Sequence, residues 1–101
     1  MDSKRPRLTL ASLKVLRVFL ETPKQQLAGV DIQKLGRVPT GTLYPILLRF
    51  EAAGWLDSKW EDIDPREAGR PRKRFYRLTP TGFAHANEAL ASLGNEVPAW
   101  A

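Results

Sequence analysis

Two stretches of the chain carry side chains whose types and spacing suit recognition of a nucleic acid. The first is Gly41-Thr42-Leu43-Tyr44-Pro45-Ile46-Leu47, and the second is Gly69-Arg70-Pro71-Arg72-Lys73-Arg74-Phe75-Tyr76-Arg77-Leu78-Thr79. The first reads as the start of a helix with polar groups at its exposed tip. A side chain reaches base edges in a major groove when it points outward near a helix N-terminus, which makes Thr40, Thr42 and Tyr44 the candidate readers. Hydroxyls bond to bases or phosphates, Gly41 allows close backbone approach, and the helix N-terminus favours a phosphate. The competing roles are local: Thr40 or Thr42 as a helix cap, and Tyr44 as a partly buried core residue. Arg49 adds a cation further along the same helix.

In the second stretch the signal is charge. Between Asp62 and Arg77 six basic residues (Arg66, Arg70, Arg72, Lys73, Arg74, Arg77) stand against three acidic ones, and four of the six fall within five positions. Such crowding repels itself unless an anion relieves it, and arginine on a narrow tip lies along phosphates or enters a minor groove. The plainer alternative is a solvated charge run, with Arg74 and Arg77 paired to strand neighbours such as Glu61. Lys4, Arg5 and Arg7 near the start would add backbone contacts or serve as a solubilising arm.

The elements that must hold these groups follow from periodicity. Thr9 is placed to cap a first helix in which Leu10, Leu13, Leu16 and Leu20 recur at spacings of three and four, stopped by Glu21-Thr22-Pro23. Ala28 to Leu35 forms a shorter second helix, with Val30 or Ile32 and Leu35 inward and Gly36 as its C-terminal cap. A third helix opens at Pro39-Thr40-Gly41-Thr42 and buries Leu43, Ile46, Leu47 and Phe50 until Ala53-Gly54 ends it. Pro45 fits without strain if Thr42 is the cap, and bends the helix slightly if Thr40 is. From Trp55 the period changes to two, with Leu56, Ser58 and Trp60 on one side of a strand. A long basic turn leads into a second strand from Arg74 to Leu78. Thr79-Pro80 then starts a last helix with Phe83, Ala86, Leu90 and Leu93 as its stripe and Gly94 at its end.

Composition bounds the function. A chain of 101 residues supports one small core, and 43% hydrophobic with 27% charged residues is ordinary for a folded protein. Sixteen basic against eleven acidic residues give a net charge of +5, which favours an anionic partner. There is no cysteine, so no disulfide framework and no thiolate metal site; His85 is the single histidine, and no Gly-rich phosphate loop occurs. The expectation is a protein that is not an enzyme and carries no cofactor. Glu61, Asp62 and Asp64 lack the glycine and distal glutamate of a calcium loop. No apolar run reaches the roughly 20 residues of a membrane span, and Met1-Asp2-Ser3-Lys4-Arg5 lacks an apolar signal core. A cytoplasmic location is expected.

The chain resembles the PadR family of bacterial transcriptional regulators. The resemblance lies in Gly41-Thr42-Leu43-Tyr44-Pro45, Arg49-Phe50-Glu51 and Gly54-Trp55-Leu56, followed by Gly69-Arg70-Pro71-Arg72-Lys73, Tyr76-Arg77-Leu78-Thr79-Pro80 and Gly82. It implies a mainly α fold with a β-hairpin, a winged helix-turn-helix of order α-α-α-β-β-α. It also implies a repressor that binds an inverted-repeat operator in double-stranded DNA as a homodimer. The third helix would lie in the major groove, presenting Thr40, Gly41, Thr42, Tyr44 and Arg49. The wing, with Arg70, Arg72, Lys73 and Arg74, would lie on the backbone or in the minor groove. On this basis residues 1–8 are a basic arm, 9–79 the winged-helix domain, 80–94 a dimerisation helix and 95–101 a tail. Phe75 and Phe50 stand where Tyr and Leu are more usual, and the final helical part is shorter than in many relatives. The dimer would therefore join the last helix to the partner's first, through Leu10, Leu13, Phe83, Leu90 and Leu93; alternatively, Phe83, Leu90 and Leu93 complete the monomer's core. Some members respond to aromatic acids or bind flat hydrophobic drugs between subunits. Trp55, Trp60 and Trp100 are the aromatic candidates for such an effector, against a role for Trp55 and Trp60 in the core or under the wing. The rival functional classes are a winged-helix adaptor that docks its basic wing on an acidic protein, and an RNA-binding winged helix.

Overall fold

Two threonines set the ends of the helical framework. Thr9 precedes the first helix, α1 (Leu10–Glu21), and its Oγ1 accepts the Ser12 N–H at 3.1 Å. Thr79 precedes the last helix, Pro80–Ala91, where its Oγ1 accepts the Gly82 N–H at 2.9 Å and its hydroxyl donates to the Gly54 carbonyl at 2.7 Å. Gly54 sits at φ 80 in the turn after the third helix, so one side chain closes a helix and ties it to that turn. A cap of this kind contributes about 1 kcal/mol.

The computed structural model describes residues 8–22 and 26–92. After α1 come β1 (Leu27–Ala28), α2 (Gly29–Gly36), α3 (Thr40–Ala52), β2 (Leu56–Trp60), the single turn α4 (Pro65–Ala68), β3 (Arg74–Leu78) and α5 (Pro80–Ala91). The strands form an antiparallel sheet of order β1-β3-β2, with Leu56 opposite Leu78, Ser58 opposite Tyr76, Trp60 opposite Arg74, and Leu27 opposite Tyr76. The fold is thus the expected helix-turn-helix followed by a hairpin wing, with a third short strand and a helical turn added. β1 is too short to show a period, and α4 is capped by Asp64, whose Oδ1 accepts the Arg66 N–H at 2.9 Å.

One core holds the elements together. Val15, Leu16 and Phe19 of α1, Ile32 of α2, Leu43, Ile46, Leu47 and Phe50 of α3, and Trp55 with Leu56 are all buried. At roughly 1.5–3 kcal/mol for each fully buried large side chain, the four core residues of α3 outweigh any contribution from its cap. That cap is Pro39, which offers no side-chain acceptor. Neither Thr40 nor Thr42 caps the helix, contrary to both sequence expectations. Pro45 lies inside the helix, where its missing N–H deprives the Gly41 carbonyl of its usual helical partner.

Three apolar stripes differ from the periodic expectation. On α1 the buried set is Ser12, Val15, Leu16, Val18 and Phe19; Leu13 and Leu20 lie at the core's margin, and Leu10 is exposed. The helix is apolar on more than one side, so periodicity alone does not choose the inward one. On α2 only Ile32 of the named residues points inward. Gly36 packs so close to α1 that an added Cβ would stand 3.3 Å from Val18 Cγ2. Leu35, about 100° round the helix, is therefore left 61% exposed, and Val30 is exposed as well. Gly36 remains helical, and Arg37 takes the left-handed cap position at φ 54. On α5 the buried residues are Gly82, Ala86 and Ala89. A Cβ on Gly82 would lie 2.0 Å from the Trp55 carbonyl oxygen; the close approach needs small residues, and Phe83 and Leu90 flank the contact. The helix ends at Ala91 with Ser92 as its cap, short of the expected Gly94; Leu93, Gly94, residues 1–7 of the N-terminal arm and Trp100 lie outside the described residues.

Candidate nucleic-acid interface

The tip of α3 is held from behind. Leu43 and Ile46 anchor it in the core, while the Pro39 carbonyl accepts both the Thr42 and Leu43 N–H groups at 2.9 Å. Thr40, Gly41, Thr42 and Tyr44 are all exposed. Freed from capping, the Thr40 and Thr42 hydroxyls bond to no described residue. Nothing lies within 4 Å of a Cβ built on Gly41, so the fold itself does not require glycine there. Tyr44 is 46% exposed and lies over α2, its hydroxyl 2.3 Å from where a Cβ on Gly29 would stand. Arg49 is exposed too, but it lies about 13 Å along the axis from Thr40 at about 1.5 Å per residue; it does not gather with the tip.

The wing is organised around one carboxylate. Glu61, just after β2, receives both terminal nitrogens of Arg70 at 2.7 and 2.8 Å and the Lys73 N–H at 3.1 Å, while its own N–H donates to the Lys73 carbonyl at 2.8 Å. The Arg70 hydrogen bond holds the Glu61 carboxyl down at about 2, against burial that pulls it upward, with the Lys73 N–H helping. The same pairing raises Arg70 above its ordinary value. Gly69, left-handed at φ 69, turns the chain out of α4 into this loop. Arg72 donates its Nε to the Ile63 carbonyl at 2.9 Å.

Arg74 is also engaged by its neighbours. Its Nε donates to Ser58 Oγ at 3.0 Å, a terminal nitrogen lies 3.6 Å from Glu51 Oε2, and its guanidinium stacks 4.9 Å over the Trp60 ring. Ser58 donates in turn to Glu51, so α3 and the wing are linked through Glu51, Ser58 and Arg74. Tyr76 lies beneath, its phenol pushed up chiefly by burial, with Arg74 opposing. The sequence suggests four cations on a free basic tip. In the structure Arg70 and Arg74 shape the wing, whereas the Lys73 ammonium, the Arg77 guanidinium and the terminal nitrogens of Arg72 make no hydrogen bond to a described residue. Glu61 as organiser was legible only as a generic strand neighbour of Arg74 and Arg77. Its actual partner, Arg70, depends on how the loop closes.

These two parts meet. A cleft of about 330 Å³ is walled by Gly29 and Tyr44 on one side and by Trp60, Arg72, Lys73 and Arg74 on the other. The structure thus brings Tyr44 of α3 and a set of wing cations to one concave surface. Leu48, absent from the residues expected at the interface, lies on the same outward side of α3; its signal was its position one turn beyond Tyr44.

The remaining candidates fall elsewhere. Leu10 and Phe83 are exposed and Leu13 and Leu90 half-buried, on the mutually packed helices α1 and α5. Trp55 is buried, stacked on Phe50 at 5.3 Å and on His85 at 4.7 Å, whereas Trp60 is exposed, carries Arg74 and lines the cleft between α3 and the wing. Among the described residues no group of His, Cys, Asp or Glu is arranged to hold a metal ion, and no helix is long and apolar enough to cross a membrane.

Known proteins share this architecture. The transcriptional regulator Rv3488 of Mycobacterium tuberculosis is 48% identical over 64 residues, covering 60% of this chain; the chain spans 55% of that relative's length. A PadR family transcription regulator from Clostridium difficile R20291 superposes with a TM-score of 0.68 at 20% identity, covering 84% of this chain and 88% of that one. A cysteine-to-serine mutant of MarR from E. coli, solved in complex with operator DNA, gives a TM-score of 0.64 at 24% identity, covering 88% of this chain and 58% of that one. The family model of the transcriptional regulator PadR-like family matches residues 25–88, the span from β1 through most of α5, and the chain belongs to that family.

Proposed function

We propose that this chain is a sequence-specific DNA-binding regulator, a repressor that binds an inverted-repeat operator as a homodimer. In this reading α3 enters the major groove and the wing lies against the backbone or in the minor groove. One observation carries it: Tyr44, near the tip of α3 where Thr40 and Thr42 stand exposed, borders a cleft whose far wall includes Arg72, Lys73 and Arg74. Unused hydrogen-bonding groups beside cations complement a polyanion with readable base edges. The fold shared with a MarR mutant solved on operator DNA supports DNA as the partner.

Residues 9–79 act as the DNA-binding unit, and the helix that follows pairs with α1 of a second copy. The exposure of Leu10 and Phe83 and the half-burial of Leu13 and Leu90 support that pairing. A protein acting on a chromosome in this way works in the cytoplasm.

Selection of bound duplexes from a randomised DNA library, at physiological salt and with excess nonspecific competitor, tests the reading. An enriched inverted repeat is the expected result and supplies the operator. A lone half-site would contradict the homodimer. No enrichment by the folded protein would overturn DNA recognition and favour an adaptor that docks on an acidic protein.

A further inference from the structure

Leu48 is 70% exposed, more than any other large hydrophobic side chain among the described residues. A single exposed leucine is ordinary on a protein surface; its surroundings give this one a direction. Gly41, Tyr44, Pro45 and Leu48 recur at spacings of three and four on the side of α3 that faces away from the core. A concavity of about 480 Å³ joins Tyr44, Pro45 and Leu48 to Glu51, Arg74 and Tyr76 on the wing side. The face is also informative in what it omits. From Thr40 to Leu48 the exposed residues are hydroxylic or apolar, with no Asn, Gln, Lys or Arg among them. Paired hydrogen bonds to guanine take Arg or Lys, and those to adenine take Asn or Gln. The apolar feature that base pairs present in the major groove is the thymine C5-methyl.

We infer that Leu48, with Pro45 beside it, packs on a thymine C5-methyl in each operator half-site and is a specificity-determining residue of the interface. The inference rests on the DNA reading above. The specificity of the face from Thr40 to Leu48 then comes from single hydroxyl contacts and methyl packing.

The test uses the operator recovered by selection, remade with deoxyuridine in place of each half-site thymidine in turn, which removes one methyl and nothing else. Burial of one methyl is worth about fourfold in affinity. One position is expected at which the substitution weakens the wild-type protein about fourfold and leaves Leu48→Ala unaffected, while Leu48→Met keeps the sensitivity. Absence of any sensitive position would overturn the inference, as would full sensitivity retained by Leu48→Ala. Failure of the DNA reading itself would look different: the selection would enrich no duplex, and this inference would fall with it.

Discussion

The tip of α3 and the tip of the wing are both polar and exposed, yet they are built in opposite ways. α3 is fixed by its buried side, through Leu43, Ile46, Leu47 and Phe50, so Thr40 and Thr42 at its tip have no structural duty. The wing has little buried mass beneath its loop and is fixed by its own polar residues. Glu61 gathers Arg70 and the Lys73 N–H, and Arg74 is shared among Ser58, Glu51 and Trp60. Charge density is therefore a poor guide to which cations are available for a partner. Two of the four clustered basic residues are spent on shape, and the supply left for an anionic partner is smaller and more localised than the sequence implies.

The largest expected effect separates the two kinds of support. Phe50→Ala removes a fully buried ring from the back of α3 and should cost about 3–5 kcal/mol, lowering the melting temperature of the whole domain; a change below about 1 kcal/mol would mean that the helix does not depend on the core for its position.

A smaller effect should come from the wing, and its sign is diagnostic. If Arg70 acts through Glu61 to hold the loop, Glu61→Ala should weaken nonspecific DNA binding roughly two- to fivefold, the range of an exposed ion pair, despite removing a negative charge. Arg70→Ala should do the same. Stronger binding by Glu61→Ala would show instead that the carboxylate merely competes with phosphate for Arg70, and the contrast between the regions would fail.

The most local effect is in titration. The Glu61 carboxyl is lowered from 4.5 to about 2, so its contribution to the folded state is fully present above about 4.5 and is lost as pH falls through about 2. An NMR titration of that carboxyl should show a midpoint near 2; an ordinary midpoint would mean that the Arg70 pair does not persist in solution.

Much of this architecture was legible because local rules and packing agree. Thr9 and Thr79-Pro80 mark helix starts, the Leu43–Phe50 stripe lies in the core, and the two-residue period from Leu56 fits a strand paired with Arg74–Leu78. Where the rules failed, tertiary contact decided. α2 turns Leu35 outward because Gly36 must meet Val18, and α5 presents glycine and alanine because the Trp55 backbone leaves no room for more. Of the site, the tip of α3 was legible as a row of outward hydroxyls. The division of labour within the wing was not, because Arg70 and Glu61 are brought together by a loop whose closure no periodicity encodes.

The division between reading and holding is tested most directly by measuring the salt dependence of binding for Thr42→Val and Lys73→Ala, each on the selected operator and on a scrambled duplex. Thr42→Val should lose operator preference by about 1–3 kcal/mol with its salt slope unchanged, and Lys73→Ala should keep the preference and lose about one unit of slope. The reverse pattern, with preference lost at Lys73 and slope lost at Thr42, would contradict the account.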